Sequence, residues 1–348
     1  MKEKLLGKTP DELKAAALSC GLKAFVGKQI AEWLYAKRVS SWDAMSNIGK
    51  EAKARLQENF ELGTSSPIGS ALSSDGTKKY LFAVSCQAAG GKIEDSAVEA
   101  VMIPESDRRT LCVSSQAGCR MGCKFCMTGR QGWHGNLDAA DIINQFLGID
   151  EPSSLTNAVF MGMGEPMDNY AAVSRAIKVL TSDWGFGWSP KRITVSTIGV
   201  IPELKRFLDE ERCHIAVSLH NPFPDERLSM MPVEKAYPIS EVVRLLKKYD
   251  FSGQRRVSFE YTMFDGFNDD KRHADALSRL LKGLECRVNL IRFHKIPDFP
   301  YGCASDLAMQ MFRDRLSNNG IVCTIRTSRG EDILAACGML AGQHSQQG

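Results

Sequence analysis

The chain has 348 residues, of which 43% are hydrophobic and 24% charged. This excludes a wholly disordered chain and leaves room for one large core plus a smaller domain. No apolar run approaches the length of a membrane span, and the start of the chain lacks the apolar centre of a secretion signal, so we expect a cytoplasmic protein with no membrane partner. A net charge of +3 permits a nucleic-acid partner without indicating one.

Residues 1–65 are expected to form a small helical domain. TPDELKAAALSC has a Thr-Pro start with acids in its first turn, and GKQIAEWLYAKRV repeats apolar residues at helical spacing, with Lys37 and Arg38 near its end. Residues 1–61 hold 11 Lys and Arg against 8 Asp and Glu, a local charge of +3. That excess fits RNA contact, with Lys37 and Arg38 as candidates, or an ordinary solvated helix surface.

Residues 66–104 are predicted to be a small connecting β segment. Two β-like runs in KKYLFAVSCQAAGGKIEDSAVEAVMIP flank a Gly-Gly stretch, as in a hairpin or a small sheet.

From residue 105 to residue 340, short β-rich runs alternate with amphipathic helical segments. The β-like runs are TLCVSS, NAVFMGMG, RITVSTIG, HIAVSLH, RRVSFEYTMF, RVNLIRFH and IVCTIRT. The helical segments include DAADIINQFLGI, YAAVSRAIKVL, IPELKRFLDE, SEVVRLLKKY, HADALSRLLKGL and DLAMQMFRDRL. About six such repeats without a dinucleotide fingerprint favour an α/β fold with an open, partial parallel β/α barrel. Residues 341–348 are expected to be a polar tail.

Residues 118–129, GCRMGCKFCMTG, place Cys119, Cys123 and Cys126 in the spacing C-x3-C-x2-C on a loop, with the next helix expected only after Asn136. The chain has eleven cysteines, and their scatter is unlike a disulfide framework. Three cysteines can hold an iron–sulfur cubane whose fourth iron is open to a small molecule. A zinc site completed by His134 or Cys112, or plain core cysteines, are the alternatives.

Further polar groups follow other strands, at the edge where such folds carry their chemistry. In FMGMGEP, Gly162 and Gly164 would let the backbone approach a ligand, and Glu165 can accept hydrogen bonds from an ammonium group. A plain βα turn is the structural alternative. Two more strand ends offer hydroxyl and imidazole groups, at Ser196, Ser218 and His220.

Taken together, CVSSQAGCRMGCKFCMTG, MGMGEP, STIGVIP, SLH and RGEDILAACG resemble the radical S-adenosylmethionine methyltransferases of the RlmN type, which methylate C2 of adenine in 23S rRNA and tRNA. The resemblance covers nearly the whole chain, so it implies a radical S-adenosylmethionine core over 105–340. It implies a [4Fe–4S] cluster and two S-adenosylmethionine molecules per turnover. The implied cluster ligands are Cys119, Cys123 and Cys126, and the implied cofactor-binding residues are Gly164, Glu165, Ser196, Ser218, Leu219, His220 and His294, where many relatives have Asn in place of His294.

The resemblance also gives roles to residues outside the cluster. Adenine C2 is electron-poor and does not attack the methyl group of S-adenosylmethionine, so a radical route is required. By resemblance, Cys337 is first methylated, then converted to a methylene radical that adds to adenine and tethers the RNA. Glu99 would accept the C2 proton, and Cys112 would attack the Cys337 sulfur, forming a disulfide as the product leaves.

The resemblance implies 23S rRNA and tRNA as partners, and we expect a monomer that receives electrons from a donor such as flavodoxin. Two other functions remain open at this point. One is methylation of adenine C8 by the resistance-type relative, which shares Cys112, Cys337 and the cluster motif. The other is a metal-stabilised RNA-binding module without catalysis.

Overall fold

A computed structural model describes residues 2–253 and 255–342 of the chain. The predicted polar tail therefore lies, from residue 343 onward, outside the described residues.

The first sixty residues are mainly helical. They form β1 (Glu3–Lys4), α1 (Pro10–Ser19), α2 (Phe25–Ala31), a π-helical turn (Glu32–Ala36), α3 (Lys50–Asn59) and β2 (Phe60–Glu61), which pairs in parallel with β1. A capping box starts α1, because the Thr9 hydroxyl accepts from the Glu12 amide while the Glu12 carboxylate accepts from the Thr9 amide. Gly27 lets α2 pack on α1, since a Cβ there would lie 2.5 Å from the Cα of Lys14.

Charged residues fasten this helical domain to the rest of the protein. Arg175 contacts both carboxylate oxygens of Glu12 at 2.7 Å. Burial by itself would raise the pKa of Glu12, but the Arg175 guanidinium and the Thr9 amide outweigh burial and lower that pKa to about 2. The ring of Tyr35 meets Trp184 edge to face, with centroids 5.5 Å apart.

Arg38 also contributes to this junction. Its guanidinium donates a 2.9 Å hydrogen bond to the Pro152 carbonyl and lies 4.4 Å from the centroid of the Phe186 ring. Its neighbour Lys37 remains exposed, 3.2 Å from the Glu32 carboxylate. Arg38 is therefore engaged at the domain junction, whereas Lys37 extends from the surface, and RNA contact by either side chain stays a prediction.

The predicted hairpin is present, but it does not form a sheet of its own. The segment contains β3 (Gly69–Leu72), β4 (Lys78–Gln87) and β5 (Ile93–Pro104), which pair antiparallel in that order. Strand β5 also pairs antiparallel with the next strand, where Val101 lies opposite Cys112. The hairpin thus extends the main sheet, because its second strand has one edge left for that pairing.

Strands and helices alternate through the remainder of the described chain. In chain order these are β6 (Arg109–Cys112), β7 (Gln116–Gly118), α4 (Met127–Arg130), β8 (Trp133–Asn136), α5 (Ala139–Leu147), β9 (Asn157–Phe160), α6 (Tyr170–Thr181), β10 (Ile193–Thr197), α7 (Ile201–Glu210), β11 (His214–Ser218), α8 (Pro224–Met230), α9 (Ile239–Leu246), β12 (Val257–Met263), α10 (Lys271–Leu281), β13 (Arg287–Arg292), α11 (Asp306–Asn318) and β14 (Val322–Ile325). Every predicted β-like run contains a strand, and every predicted helical segment contains a helix.

The sheet order confirms the predicted open barrel. The main path is β14-β13-β12-β11-β10-β9-β6-β5-β4-β8-β7, and each strand from β6 through β9 to β14 pairs in parallel with the one before it. Each connection therefore leads to the next strand on the same side of the sheet. In a doubly wound sheet, the strand order would change direction once. Because β5 occupies the free edge of β6, the array cannot close onto β14.

The helices cover the outside of this sheet with their apolar faces. Helix α9, for example, buries Ile239, Val242, Val243 and Leu246. None of the described helices is both long enough and apolar enough to cross a bilayer. All parallel strands end at one edge of the sheet, and the groups that the sequence singled out lie there.

Replacing Arg38 should therefore destabilise the protein more than replacing Lys37. We expect Arg38→Ala to lower the free energy of unfolding by about 1.5–3 kcal/mol, because it removes a charged hydrogen bond and an aromatic contact at the domain junction. Lys37→Ala removes an exposed ion pair with Glu32 and a surface contact with the Trp33 ring, and it should cost about 1 kcal/mol. Chemical denaturation of both variants measures the difference, and equal losses would contradict the role given to Arg38.

Candidate active site

The three cysteines of the C-x3-C-x2-C motif lie on a loop after β7, and backbone contacts fix both ends of that loop. The Cys119 amide donates a 2.7 Å hydrogen bond to the Gly132 carbonyl. Gly118 has φ of 71°, and a Cβ there would lie 2.1 Å from the same carbonyl oxygen, so only glycine fits. Helix α4 begins directly after Cys126, which corrects the expectation that no helix starts before Asn136.

The three thiols of the motif lie together at one cavity, with backbone amides near two of them. Cys119, Cys123 and Cys126 line one cavity, and burial raises the pKa of each thiol above its ordinary value. The Met121 amide opposes this rise at Cys119, and the Thr128 and Gly129 amides oppose it at Cys126. Backbone amides directed at sulfur stabilise thiolates, the form in which cysteine binds metal.

A single zinc ion does not fit this set. Within the described residues, no group of three or more His, Cys, Asp or Glu side chains is arranged to hold a metal ion. His134, the suggested fourth zinc ligand, is absent from the walls of the cavity, and Cys112 lies in a neighbouring one. Three soft thiol donors around a shared cavity instead suit a multinuclear iron–sulfur cluster.

The cavity over the cysteine loop has a volume of about 970 Å³ and reaches the ends of several parallel strands. Most of the predicted cofactor-binding residues line it. They are Gly164, Glu165, Ser196, Ser218 and His220. A pocket with a few polar groups among apolar walls is typical of a small-molecule or cofactor site.

Glu165 is the buried carboxylate of this cavity. Burial raises its pKa to about 7, and the amides of Met167 and Ile198, which donate hydrogen bonds of 3.1 and 3.0 Å, oppose the rise. The carboxylate is therefore close to half protonated at neutral pH. A bound ammonium group would favour its charged form, which agrees with the predicted role of Glu165.

The glycines of MGMGEP are required by a neighbouring strand, not only by a ligand. A Cβ on Gly162 would lie 2.7 Å from the carbonyl of Val113, and one on Gly164 would lie 2.5 Å from the Cβ of Gln116. Gly164 also has φ of 96°. The Glu165 amide then donates to the Gln116 side chain at 2.8 Å, so this packing fixes the position of the carboxylate.

His220 presents a neutral imidazole to the cavity. Its Nδ1 accepts a 3.0 Å hydrogen bond from the Thr262 amide, so the ring proton is on Nε2. Burial, and then the nearby Arg227 charge, lowers the pKa of His220 to about 3. The backbone of His220 is left-handed, with a φ of 57°. The Asn268 side-chain amide donates a 2.7 Å hydrogen bond to the His220 carbonyl. The imidazole can therefore act only as a hydrogen-bond donor through Nε2.

Arg227 was not found by sequence reasoning, although it organises this edge. Its buried guanidinium donates to the carbonyls of Leu219 at 2.9 Å, Ser218 at 3.0 Å and Ile198 at 3.3 Å, and it pairs with Glu234. Its only sequence signal is DERLSMMPVEK, which begins in the short helix α8 between β11 and β12. Leu219 itself is fully buried and does not line the cavity, because its amide and carbonyl are already bonded within the protein.

A second cavity, of about 900 Å³, adjoins the first and contains the other two predicted catalytic cysteines. Cys112 and Cys337 both line it, and Cys337 lines the first cavity as well. All cysteines of the chain are free thiols in this structure. His294 lines the second cavity, not the first, and lies 2.6 Å from the Ser328 hydroxyl. The structure thus does not bring His294 to the other predicted cofactor residues.

The segment that carries Cys337 is clamped to the turn between β3 and β4. The Asp332 carboxylate accepts a 2.6 Å hydrogen bond from the Ser73 hydroxyl and a 3.0 Å bond from the Ser74 amide. The Gly330 amide donates to Asp75 at 3.0 Å. A Cβ on Gly330 would lie 2.9 Å from Thr77, which explains the glycine of the RGED motif. The motif therefore positions Cys337 from a distance.

Glu99 lies behind the cavities and lines neither of them. One carboxylate oxygen is 2.9 Å from the Lys79 ammonium, and the other accepts bonds from the amides of Ala341 at 2.8 Å and Gly342 at 3.3 Å. The side chain is 1% exposed. The segment after Cys337 thus covers the predicted proton acceptor.

An open parallel barrel with three cysteines on the loop after its first parallel strand defines a radical S-adenosylmethionine enzyme. The profile described as the radical SAM superfamily matches residues 113–277. A radical SAM methyltransferase from Sphaerobacter thermophilus has a crystal structure with a TM-score of 0.90, at 37% identity, covering 98% of this chain and 100% of that one.

The amino-terminal domain and the relatives narrow the class further. The profile of the ribosomal RNA large subunit methyltransferase N-terminal domain matches residues 3–62. A probable dual-specificity RNA methyltransferase RlmN of Porphyromonas gingivalis is 55% identical over 97% of this chain and 96% of its own. The dual-specificity RNA methyltransferase RlmN of Syntrophus aciditrophicus is 36% identical over 96% of this chain and 94% of its own.

This chain belongs to the RlmN family of radical S-adenosylmethionine RNA methyltransferases. It is an enzyme, and its cofactors are a [4Fe–4S] cluster and S-adenosylmethionine. This excludes the zinc site and the non-catalytic RNA-binding module.

The neutral state of His220 makes a testable contribution to stability. The unfolded chain takes up a proton on this imidazole below pH 6.5, whereas the folded chain does so only near pH 3, so stability falls as pH decreases through this window. His220→Asn keeps a residue that tolerates left-handed backbone and removes the titration. We expect the variant to lose less stability than the wild type between pH 6.5 and 5, by about 1.4 kcal/mol per pH unit.

Urea denaturation of both proteins across this range is the measurement. Only the change with pH is compared, because the variant also loses the Thr262 hydrogen bond at every pH. Parallel stability curves would show that His220 is not held neutral.

Proposed function

We propose that this enzyme methylates C2 of adenine in 23S rRNA and in tRNA, using Cys337 as the methyl carrier and Cys112 as the releasing thiol. One observation supports this most directly: Cys337 lines both cavities, and Cys112 lines the second. A methyl carrier must reach the cofactor on one side and the RNA base on the other. A releasing thiol must share the cavity in which the adduct forms.

Three cysteines and the surrounding strand ends are proposed to hold the cofactors. Cys119, Cys123 and Cys126 would ligate the cluster. The bound cofactors supply the electron and the radical that start the chemistry. We assign S-adenosylmethionine binding to the residues that line the first cavity: Gly164, Glu165, Ser196, Ser218 and His220. Leu219 contributes by holding the strand end, and His294 acts from the second cavity.

Cys112 and Glu99 are proposed to take part in the proton transfers of the reaction. Burial, together with the neighbouring Cys337, raises the pKa of Cys112 to about 12, so its attack on the Cys337 sulfur must be coupled to loss of its proton. Glu99 is proposed to accept the C2 proton of the adduct. Lys79 stabilises its carboxylate in the resting arrangement, and the amides of Ala341 and Gly342 must leave it before it reaches the base.

The partners and setting follow from this chemistry. We propose a monomeric, cytoplasmic enzyme that receives electrons from an acidic carrier such as flavodoxin. Lys124 is exposed and lies in sequence beside the cluster cysteines, which favours an acidic surface at that end.

We propose that the helical domain binds RNA through two lysines other than Lys37. Lys14 on α1 and Lys28 on α2 are exposed and line one groove, whose walls also include the acidic residues Asp11, Glu32 and Asp183. Both side chains lack a carboxylate partner among the described residues, unlike Lys37, which lies beside Glu32. They are therefore available to RNA phosphates.

The methylated nucleoside found in the RNA identifies which carbon of adenine the enzyme methylates. We expect 2-methyladenosine to disappear from both 23S rRNA and tRNA in a strain that lacks this gene, and to return with the wild-type gene but not with Cys337→Ala. Mass spectrometry of nucleosides from each purified RNA is the measurement. Loss of 8-methyladenosine instead would identify the resistance-type reaction, and loss from one RNA only would remove the other from the substrates.

In cells, Cys112→Ala should accumulate RNA bound covalently to the protein. The variant keeps the carrier Cys337 but lacks the thiol that releases the adduct, so denaturing electrophoresis after ribonuclease treatment should show a shifted band. Cys337→Ala is the matched control and should show none. A Cys112→Ala enzyme that releases methylated adenine at the wild-type rate would reduce Cys112 to a core residue.

Removing the two groove lysines should weaken RNA binding and its salt dependence. Because each phosphate contact contributes about 0.9 to the slope of log affinity against log salt, Lys14→Gln with Lys28→Gln should lower that slope by about 2. The control pair is Lys205→Gln with Lys271→Gln, on α7 and α10. Fluorescence anisotropy at several salt concentrations is the measurement. An unchanged slope in the first pair would return the groove to an ordinary solvated surface.

A further inference from the structure

The second cavity contains charged groups that the reaction scheme does not yet use. Besides the two cysteines, its walls include three arginines and two carboxylates: Arg292, Arg326, Arg329, Glu260 and Glu105, the last of which pairs with Arg108. Because these cations lie beside the proposed methyl carrier, the anionic group that they bind has to be identified.

Arg326 differs from the other two arginines. Arg292 pairs with Asp306, and Arg329 faces Asp75 at 3.9 Å. Arg326 is exposed and has no carboxylate at ion-pair distance within the part of the chain that the structure describes. Its amide continues the pairing of β14 by donating to the Leu290 carbonyl at 2.8 Å. The backbone is thus fixed at the carboxyl edge of the sheet, while the guanidinium has no partner at the cavity.

Glu260, on β12, is a buried carboxylate that lines both cavities. One oxygen, Oε1, accepts hydrogen bonds from the Ser258 hydroxyl at 3.0 Å and the Asn289 side chain at 2.8 Å. The other, Oε2, receives no hydrogen bond from a described residue and is not sealed from solvent, since it is absent from the buried unpaired atoms. Glu260 therefore has one fixed oxygen and one available acceptor.

The surroundings of Glu260 place it with Arg326 and Cys337. Burial raises the pKa of Glu260, and the Arg326 charge opposes that rise. The Glu260 charge in turn contributes to raising the pKa of Cys337. The three groups thus surround one space: an acceptor at the junction of the cavities, a free cation at the outer cavity, and the methyl carrier between them.

We propose that the second cavity receives the target nucleotide, with Arg326 binding one of its phosphates and Glu260 accepting a hydrogen bond from the amino group of its adenine. This rests on the proposed function, because it takes RNA adenine as the substrate. A guanidinium suits phosphate recognition, and the amino group is the hydrogen-bond donor of the adenine base. Together the two contacts orient the base beside Cys337.

The phosphate contact is tested by Arg326→Gln against Arg287→Gln. Arg287 is also exposed, but it lies at the opposite end of the adjoining strand β13. We expect Arg326→Gln to weaken RNA binding about 10-fold and to lower the salt slope by about 1, with Arg287→Gln unchanged. Anisotropy with an RNA hairpin carrying the target adenine is the measurement. Wild-type affinity and slope in Arg326→Gln, or an equal loss in Arg287→Gln, overturns this contact.

The base contact is tested by pairing protein and RNA changes. A hairpin in which purine, lacking the amino group, replaces the target adenine should bind the wild type about 5- to 10-fold more weakly. Glu260→Ala should bind both hairpins equally, whereas Glu260→Gln should keep the preference, because its amide oxygen still accepts. An unchanged preference in Glu260→Ala, or lost discrimination in Glu260→Gln, overturns the assignment.

Cofactor binding separates the two cavities in the same proteins. Equilibrium binding of S-adenosylmethionine to the cluster-loaded enzyme without RNA should be unaffected by Glu260→Ala. Weakened binding would place this carboxylate with the cofactor and overturn its role at the base. These affinity ratios do not depend on which carbon is methylated. If the wild type shows the expected ratios but forms no 2-methyladenosine, the proposed function fails while the nucleotide pocket stands.

Discussion

The active edge of this enzyme depends on one buried guanidinium. Arg227 has no exposed side-chain surface, and it bonds to carbonyls that follow β10 and end β11 while pairing with Glu234. A buried charge without these partners would cost several kcal/mol, so the loops must keep the positions that satisfy it. The charge of Arg227 also helps to keep His220 neutral. The cofactor cavity thus takes its shape from an ion pair that does no chemistry itself.

A second constraint acts on the carrier segment from outside the barrel. Asp332 bonds to Ser73 and Ser74, and Gly330 bonds to Asp75, so the turn between β3 and β4 determines where Cys337 lies. The same segment continues to Ala341, whose amide bonds to Glu99 on β5. Because β5 pairs with β6, the hairpin and the barrel form one sheet. The connecting β segment is therefore a support for the carrier cysteine.

The two cavities divide the work of a radical methyl transfer. The first brings thiols, a carboxylate and a neutral imidazole to the ends of the parallel strands, which is where we propose that the cluster and S-adenosylmethionine bind. The second contains Cys112 and the free cation of Arg326, and Cys337 lies between them. Burial keeps the Cys112 thiol protonated at rest. Separate compartments keep the cofactor chemistry away from the RNA until the carrier links them.

The sequence by itself determined what is local or periodic. Alternating runs predicted the strands, the helices and the open barrel, and the cysteine spacing with RGEDILAACG indicated the family. Contacts distant in sequence were decided only by the tertiary structure. Arg38 lies at the domain junction, Arg227 supports the strand ends, and Glu260 lines both cavities. His294 lies in the second cavity and not with the other predicted cofactor residues. Gly162 and Gly164 proved to be required by the residues that follow β6 and by β7. These outcomes depend on which strands are neighbours, and that is a property of the sheet and not of any single segment.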